Sequence, residues 1–151
     1  MDRRRLQWLT RRFSSIKEYQ VSKVDYSNEV DYYEQGFEEE GIVSVWLGVE
    51  PLTNDEETDV LQELCGVGYY DISSQESECF DFQDTDIKSL MHNMSYSNSF
   101  IDLVVEAAKR KDINSAKWVT LQYDFNYNPE KVNRTISPDP LFIGAFPYKE
   151  D

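Results

Sequence analysis

KWVTLQYDFNY, residues 117–127, decides the fold. Trp118, Thr120, Gln122, Asp124 and Asn126 fall on one side of this stretch. Val119, Leu121, Tyr123, Phe125 and Tyr127 fall on the other. A period of two with one apolar side is the signature of an antiparallel strand covered on a single face. Upstream, IVSVWLGV (42–49) is apolar nearly throughout and rich in β-branched residues, as in a strand buried on both faces, and Pro51 ends it. Downstream, LFIGAFPY (141–148) is a third strand, and the short alternation ECFDF (78–82) a fourth.

The segments between the strands carry helical spacing. Thr53 and Glu56 have the spacing of a capping box, with Asp55, Glu56 and Glu57 in the first turn, where the helix dipole favours negative charge. Val60, Leu61 and Leu64 supply the inner stripe, and Gly66 or Gly68 the stop. A short helix capped by Asp84 or Thr85 carries Ile87, Leu90, Met91 and Met94. A longer one, capped by Ser97 or Asn98, carries Phe100, Ile101, Val104, Val105 and Ala108, with Lys109-Arg110-Lys111 at its negative end. Leu6, Leu9, Phe13 and Ile16 predict an amphipathic N-terminal helix within residues 1–20, and residues 25–41 read as an acidic, Tyr-rich connector. The expected architecture is α+β: a small, mostly antiparallel sheet with helices packed on one face. The expected organisation is an N-terminal extension over residues 1–40 and one domain over 41–151.

With 151 residues, 40% of them apolar and 14% aromatic, the chain can build a single core. No apolar run approaches the ~18 residues of a membrane span, and no apolar segment follows the basic N-terminus as in a secretory signal. A cytoplasmic protein is expected. The two cysteines, Cys65 and Cys79, are read as buried free thiols, since two thiols do not complete a zinc site. The sequons at Asn93 and Asn133 are read as chance matches.

Charge is the strongest compositional signal. The net charge is −14, and it is unevenly spread. Residues 1–23 hold seven Lys/Arg and two acids, residues 24–87 hold 19 Asp/Glu and no Lys or Arg, and the remainder holds eight of each sign. Solubility is served by mixed, scattered charge. A block with no cation points to a negative face kept for a positive partner. Nucleic acid and anionic membrane are disfavoured as partners, because phosphate contacts need Lys and Arg.

The parts needed for catalysis are missing. His92 is the sole histidine, so a His relay or a His-based metal site lacks members. No phosphate-binding glycine loop, nucleophile elbow or zinc-protease motif occurs. DFQDTD (81–86) starts like a calcium loop, but Asp86 stands where the loop needs glycine and His92 where it needs glutamate. Carboxylate pairs of the kind that hydrolyse glycosides are too numerous here for any one to be informative. No enzyme activity, cofactor or metal is expected.

Binding remains. Interfaces combine aromatic anchors with a polar rim, and the acidic block contains both. The partner-binding residues expected on this ground are Tyr32, Tyr33, Glu38, Glu39, Glu40, Asp55, Glu56, Asp59, Tyr70, Asp71, Glu76, Glu78, Asp81 and Asp84.

Five motifs, in order, carry a family resemblance. Gly41 to Gly48 (G-x-V-S-V-W-L-G), Tyr70-Asp71, the run Ser95 to Phe100, Tyr123-Asp124-Phe125-Asn126-Tyr127 and Phe142-Ile143-Gly144 resemble the immunity protein 22 family of bacterial polymorphic toxin systems, over about 42–148. Residues 1–40 have no counterpart in it. The resemblance implies a cytosolic bacterial protein that binds and neutralises a cognate protein toxin. Many such toxins are nucleases, whose basic sites an acidic inhibitor would complement. An acidic adaptor or nucleic-acid mimic binding basic proteins generally is the alternative, and the oligomeric state is left open.

Overall fold

The computed structural model describes residue 28, residues 32–52 and residues 58–150. The N-terminal helix expected within 1–20, most of the expected connector and the capping box at Thr53 and Glu56 lie outside the described residues.

Strand β1 (Glu38–Gly48) is central. It pairs antiparallel with β5 (Trp118–Phe125) on one side and with β6 (Leu141–Pro147) on the other. Strand β2 (Gln75–Cys79) pairs antiparallel with the outer side of β5, giving the order β2-β5-β1-β6. A minimal second ladder joins β3 (Thr85–Asp86) to β4 (Ser115–Ala116). The α+β architecture with an antiparallel sheet is therefore as the sequence predicts.

The helices lie on one face. Helix α1 (Ile87–Met91) is capped by Asp86, whose carboxylate accepts from Ser89 N at 3.1 Å. Helix α2 (Ile101–Arg110) carries Asp102 in its first turn and Lys109 and Arg110 in its last, both signs matching the dipole. Ile87, Leu90, Met91, Phe100, Val104 and Ala108 pack from this layer onto Val43, Val45 and Leu47 of β1 and Val119 and Leu121 of β5. Burial of this continuous apolar area is the main force holding helices to sheet.

The opposite face is covered too, among the described residues by one wide helical turn and irregular chain. Val60 and Leu61 of the turn Val60–Leu64, with Phe37, Cys65, Val67 and Tyr70 from irregular chain, pack on Trp46, Trp118, Phe125 and Tyr127. The sequence pattern placed Trp118, Thr120 and Gln122 towards solvent; all three are buried. Thr120 is satisfied there by Ser77, hydroxyl to hydroxyl at 2.9 Å. Beyond the Val60, Leu61 and Leu64 stripe the covering chain has no periodicity, so most of this layer leaves no pattern in the sequence.

Phe125 and Tyr127 also depart from the expected alternation. Asp124 has φ 56°, in the left-handed region. That single residue turns the strand over and sends Phe125 and Tyr127 to the face opposite Leu121. The expected helix around Val60–Leu64 is a single wide turn capped by Asp59, with Gln62 N donating to Asp59 at 3.2 Å and Asp59 N donating to Glu63 at 2.7 Å. The strand expected at 78–82 lies upstream as β2, because Asp81 (φ 56°) and Phe82 (φ 54°) leave the extended region. Packing begins ahead of Gly41: β1 starts at Glu38 and Phe37 is buried.

Candidate functional site

A register shift between β1 and β5 shapes the surface beside Asp124. Glu38 stands opposite Phe125 and Val43 opposite Tyr123, so Glu39, Glu40, Gly41 and Ile42 all face Asp124 alone. The excess chain bulges out of the ladder. Gly41 makes this feasible with φ 84°, a value that side-chain-bearing residues resist. Asp124 pins the bulge: its Oδ1 accepts from Gly41 N at 2.9 Å and from the Tyr148 hydroxyl at 2.7 Å. Burial, reinforced by that bond, pushes the Tyr148 hydroxyl above the usual phenol range.

A cleft of about 480 Å³ opens beside the bulge. Glu38, Glu39, Glu40, Asp71 and Asp124 lie around it, Tyr69 forms a wall, and Gln122 lies among its lining residues. Among the described residues, none of these five carboxylates is in an ion pair; the pairs Lys88–Asp102 and Lys117–Asp84 lie elsewhere. Glu39 accepts from Asn126 Nδ2 at 3.0 Å, and Asp71 caps the turn Ile72–Ser74 through Ser73 N at 3.0 Å.

Tyrosines extend the wall. Tyr69 is 51% exposed and Tyr33 60%, with ring centroids 5.6 Å apart, and Tyr33 lies edge-on to Tyr32 at 4.6 Å. This patch is held by a backbone bond and by the side-chain amide of Gln35. Tyr69 N donates to Tyr32 O at 2.5 Å, Gln35 Nε2 donates to Gly66 O at 3.0 Å, and Gly68 N donates to Gln35 Oε1 at 2.7 Å. Gly68 is required for the approach, since a Cβ there would lie 2.4 Å from Tyr32 O.

The structure sorts the residues expected to bind a partner. It gathers Glu38, Glu39, Glu40 and Asp71 at the cleft, with Tyr32 and Tyr33 beside it. Asp55 and Glu56 lie outside the described residues. Asp59, Tyr70 and Glu78 require correction as surface groups, because all three are buried. Tyr70 donates to Asp59 Oδ1 at 2.7 Å, so a carboxylate read as a docking group caps a turn instead. Glu78 (1% exposed) projects under the helices opposite Val119 and accepts from Cys79 N at 3.1 Å. Glu76 is half-buried and holds the turn at Ser95 through that residue's N–H and hydroxyl. Asp81 and Asp84 are exposed, but they follow β2 at its Trp118 end, away from the Gln122 end where the cleft lies. Asp84 pairs with Lys117 at 3.4 Å.

Six of the cleft's lining residues, Tyr69, Ser74, Gln122, Tyr123, Asp124 and Phe125, were missed, and three of them are instructive. Tyr69, not its neighbour Tyr70, is the exposed ring, because the Tyr70 hydroxyl turns inward to donate to Asp59. Asp124 joins the glutamates through β1–β5 pairing across some 83 residues of sequence. Gln122 was read as solvent-facing, whereas it is 1% exposed. The free thiols fit the expectation in part: Cys65 is buried and Cys79 half-buried.

A family model described as Immunity protein 22 matches residues 61–149, more than half of the chain. The chain belongs to this family. An immunity-protein role, and with it the binding of a cognate toxin, follows from membership. The match covers β2 to β6 and the Asp71, Gln122 and Asp124 part of the cleft; β1, with Glu38, Glu39 and Glu40, precedes it. No curated protein and no solved structure matches the chain significantly. Among the described residues of this immunity protein, no helix is long and apolar enough to cross a membrane.

Proposed function

We propose that this immunity protein neutralises a basic, nuclease-type toxin domain by occlusion, docking the acidic cleft and its tyrosine wall on the toxin's substrate-binding surface, with no catalytic chemistry of its own. One observation carries the reading: five carboxylates, without ion pairs among the described residues, converge beside exposed tyrosine rings. Nuclease sites are positively charged because their substrate is a polyanion. Carboxylates facing such a site speed encounter and penalise partners of the wrong sign, while flat aromatic rings supply contact area. The cytoplasm is where such a protein meets a toxin that enters the cell.

Co-expression with the cognate toxin tests the proposal. Cells carrying both genes survive, and the purified proteins form a complex at nanomolar concentration, roughly −12 kcal/mol. Absence of a complex at micromolar concentration contradicts it. Comparable binding to several unrelated basic nucleic-acid-binding proteins contradicts it differently, by pointing to a general mimic.

A further inference from the structure

Tyr96 is an exposed tyrosine separate from the Tyr33–Tyr69 wall. We propose that Tyr96, stacked on Tyr148, is a further anchor for the toxin, extending the docking face past Asp124 to the turn that leads into α2. This anchor rests on the toxin-binding reading above and adds a contact to it.

Tyr96 has φ 59°, in the left-handed region. A bulky side chain is rare there, whereas Gly adopts it freely and Asn readily. The surrounding turn holds the backbone in place. Ser95 N donates to Glu76 Oε1 at 3.0 Å and the Tyr123 hydroxyl donates to Ser95 O. Ser99 N and Ser99 Oγ both donate to Tyr96 O, at 3.0 and 2.8 Å. At Ser95 and Tyr96 these bonds use main-chain atoms, so glycine or asparagine at position 96 would be held equally well. The turn explains the conformation and not the ring. The hydroxyl does not explain the ring either. Tyr70, Tyr123, Tyr127 and Tyr148 each donate a hydrogen bond within the fold. Among the described residues Tyr96 makes no such bond and no side-chain cap.

What the ring does is form a backed, open platform. It stacks on Tyr148 with centroids 5.8 Å apart and planes 22° apart, and stands edge-on to Tyr123 at 6.1 Å. With those rings behind it Tyr96 is still 37% exposed. A side chain already fixed by its neighbours loses little freedom when a partner covers it, which is what an interface anchor needs. A backbone conformation that costs stability and serves no internal bond of its side chain fits a residue kept for a surface role. The platform is also continuous with the cleft. The Tyr148 hydroxyl donates to Asp124 Oδ1, the atom that holds Gly41 N, so the stacked rings adjoin the glutamate bulge. Asp124 and Glu150 place negative charge beside the Tyr148 hydroxyl, and the face of an aromatic ring attracts cations. The occupant that fits is therefore the positive surface of the toxin. Tyr96 and Tyr148 lie inside the segment 61–149 that gives the chain its family, whereas Glu38, Glu39 and Glu40 precede it.

The test measures association and dissociation rates of the full chain on immobilised, purified cognate toxin domain, at a temperature where every variant is folded by circular dichroism. Tyr96→Asn keeps a residue that tolerates the left-handed backbone and removes the ring. It should speed dissociation about tenfold and leave the association rate and its salt dependence unchanged, because an uncharged ring acts on the bound state. Its urea midpoint should not fall, since relief of the backbone offsets the lost stacking on Tyr148. Tyr96→Phe, which keeps the ring, should dissociate like the wild type. Ile136→Ala, at an apolar residue 39% exposed, is the control and should change neither rate. Wild-type dissociation in Tyr96→Asn, an equal effect in Ile136→Ala, or a fall in the Tyr96→Asn midpoint that accounts for the lost binding each overturns the inference. Binding weakened by Glu38→Gln/Glu39→Gln/Glu40→Gln and untouched by Tyr96→Asn removes the anchor and leaves the acidic docking face standing. Absence of a complex with the wild-type protein removes both.

Discussion

Tyr127 shows how much one side chain holds. Its ring packs against Trp46, Phe37 and Phe142, and its hydroxyl donates to Cys65 O at 2.6 Å, tying the irregular layer to the sheet. Burial pushes that hydroxyl well above the ordinary phenol value of 10.0, and Tyr148 shifts the same way. Both groups are acids held neutral by the fold. Their contribution is therefore complete below pH 10 and is lost as pH rises towards the folded-state values. The urea midpoint should be flat from neutral to mildly alkaline pH and should drop steeply above pH 10. Tyr127→Phe should cost about 1–2 kcal/mol at neutral pH, because Cys65 O loses its donor, and should blunt the alkaline drop. An unchanged alkaline profile in the variant contradicts this assignment. Gly68→Ala forces a Cβ against the Tyr32 carbonyl and should cost about 1–3 kcal/mol in denaturant melts, loosening the Tyr33–Tyr69 patch. Charge and residue type did point to Glu38, Glu39, Glu40, Asp71 and Tyr33. They did not separate Tyr69 from Tyr70, because that choice depends on which of the two hydroxyls meets the buried Asp59.

Strand β5 is where the period-two reading both succeeds and fails. It holds from Trp118 to Tyr123 and breaks at Asp124, whose left-handed backbone inverts the facing of Phe125 and Tyr127. Nothing in the alternation of KWVTLQYDFNY marks the inversion, although Asp is among the residues that tolerate such a conformation. The same residue fixes the β1 bulge, so fold and cleft share one support. Asp124→Val should be the most damaging exposed change in this strand, at about 2–4 kcal/mol by chemical denaturation, from left-handed strain plus the lost Gly41 and Tyr148 bonds. Asp124→Asn keeps the backbone tolerance and an acceptor, and should cost about 1 kcal/mol or less. Equal losses in the two variants argue against backbone strain as the cause. The helices followed their periodicity well, with Ile87, Leu90, Met91, Val104 and Ala108 buried as the spacing predicts. Their bounds moved, Asp86 replacing Asp84 or Thr85 as the cap of α1, which ends at Met91 before Met94, and α2 starting at Ile101 after Phe100, while the helix expected around Val60–Leu64 is one wide turn. Beyond the Val60–Leu61 stripe, the layer over Trp46 and Trp118 could not be read in advance, because its packing is non-local and has no period.

The acidic block is not one surface. Ten of its described members are divided among turn caps (Asp59, Asp71, Asp86), half-buried and buried positions under the helices (Glu76, Glu78), the Trp118 end of the sheet (Asp81, Asp84) and the cleft (Glu38, Glu39, Glu40, with Asp71 serving twice). The sum of the charge was visible in the sequence. Its division was not, since it depends on the bulge and on which carboxylates the backbone recruits. The acidic surface at the cleft, which we propose as the docking face, is smaller than the block and more concentrated. Its reach is set by screening, which falls off within about 8 Å at physiological salt. Stopped-flow association of the immunity protein with its toxin, across a salt series, reads this face directly. The rate should be high at low salt and fall steeply as salt rises; Glu38→Gln/Glu39→Gln/Glu40→Gln should lower it at low salt and flatten its salt dependence. A rate indifferent to salt and to the triple substitution would contradict the acidic cleft as the surface that meets the toxin.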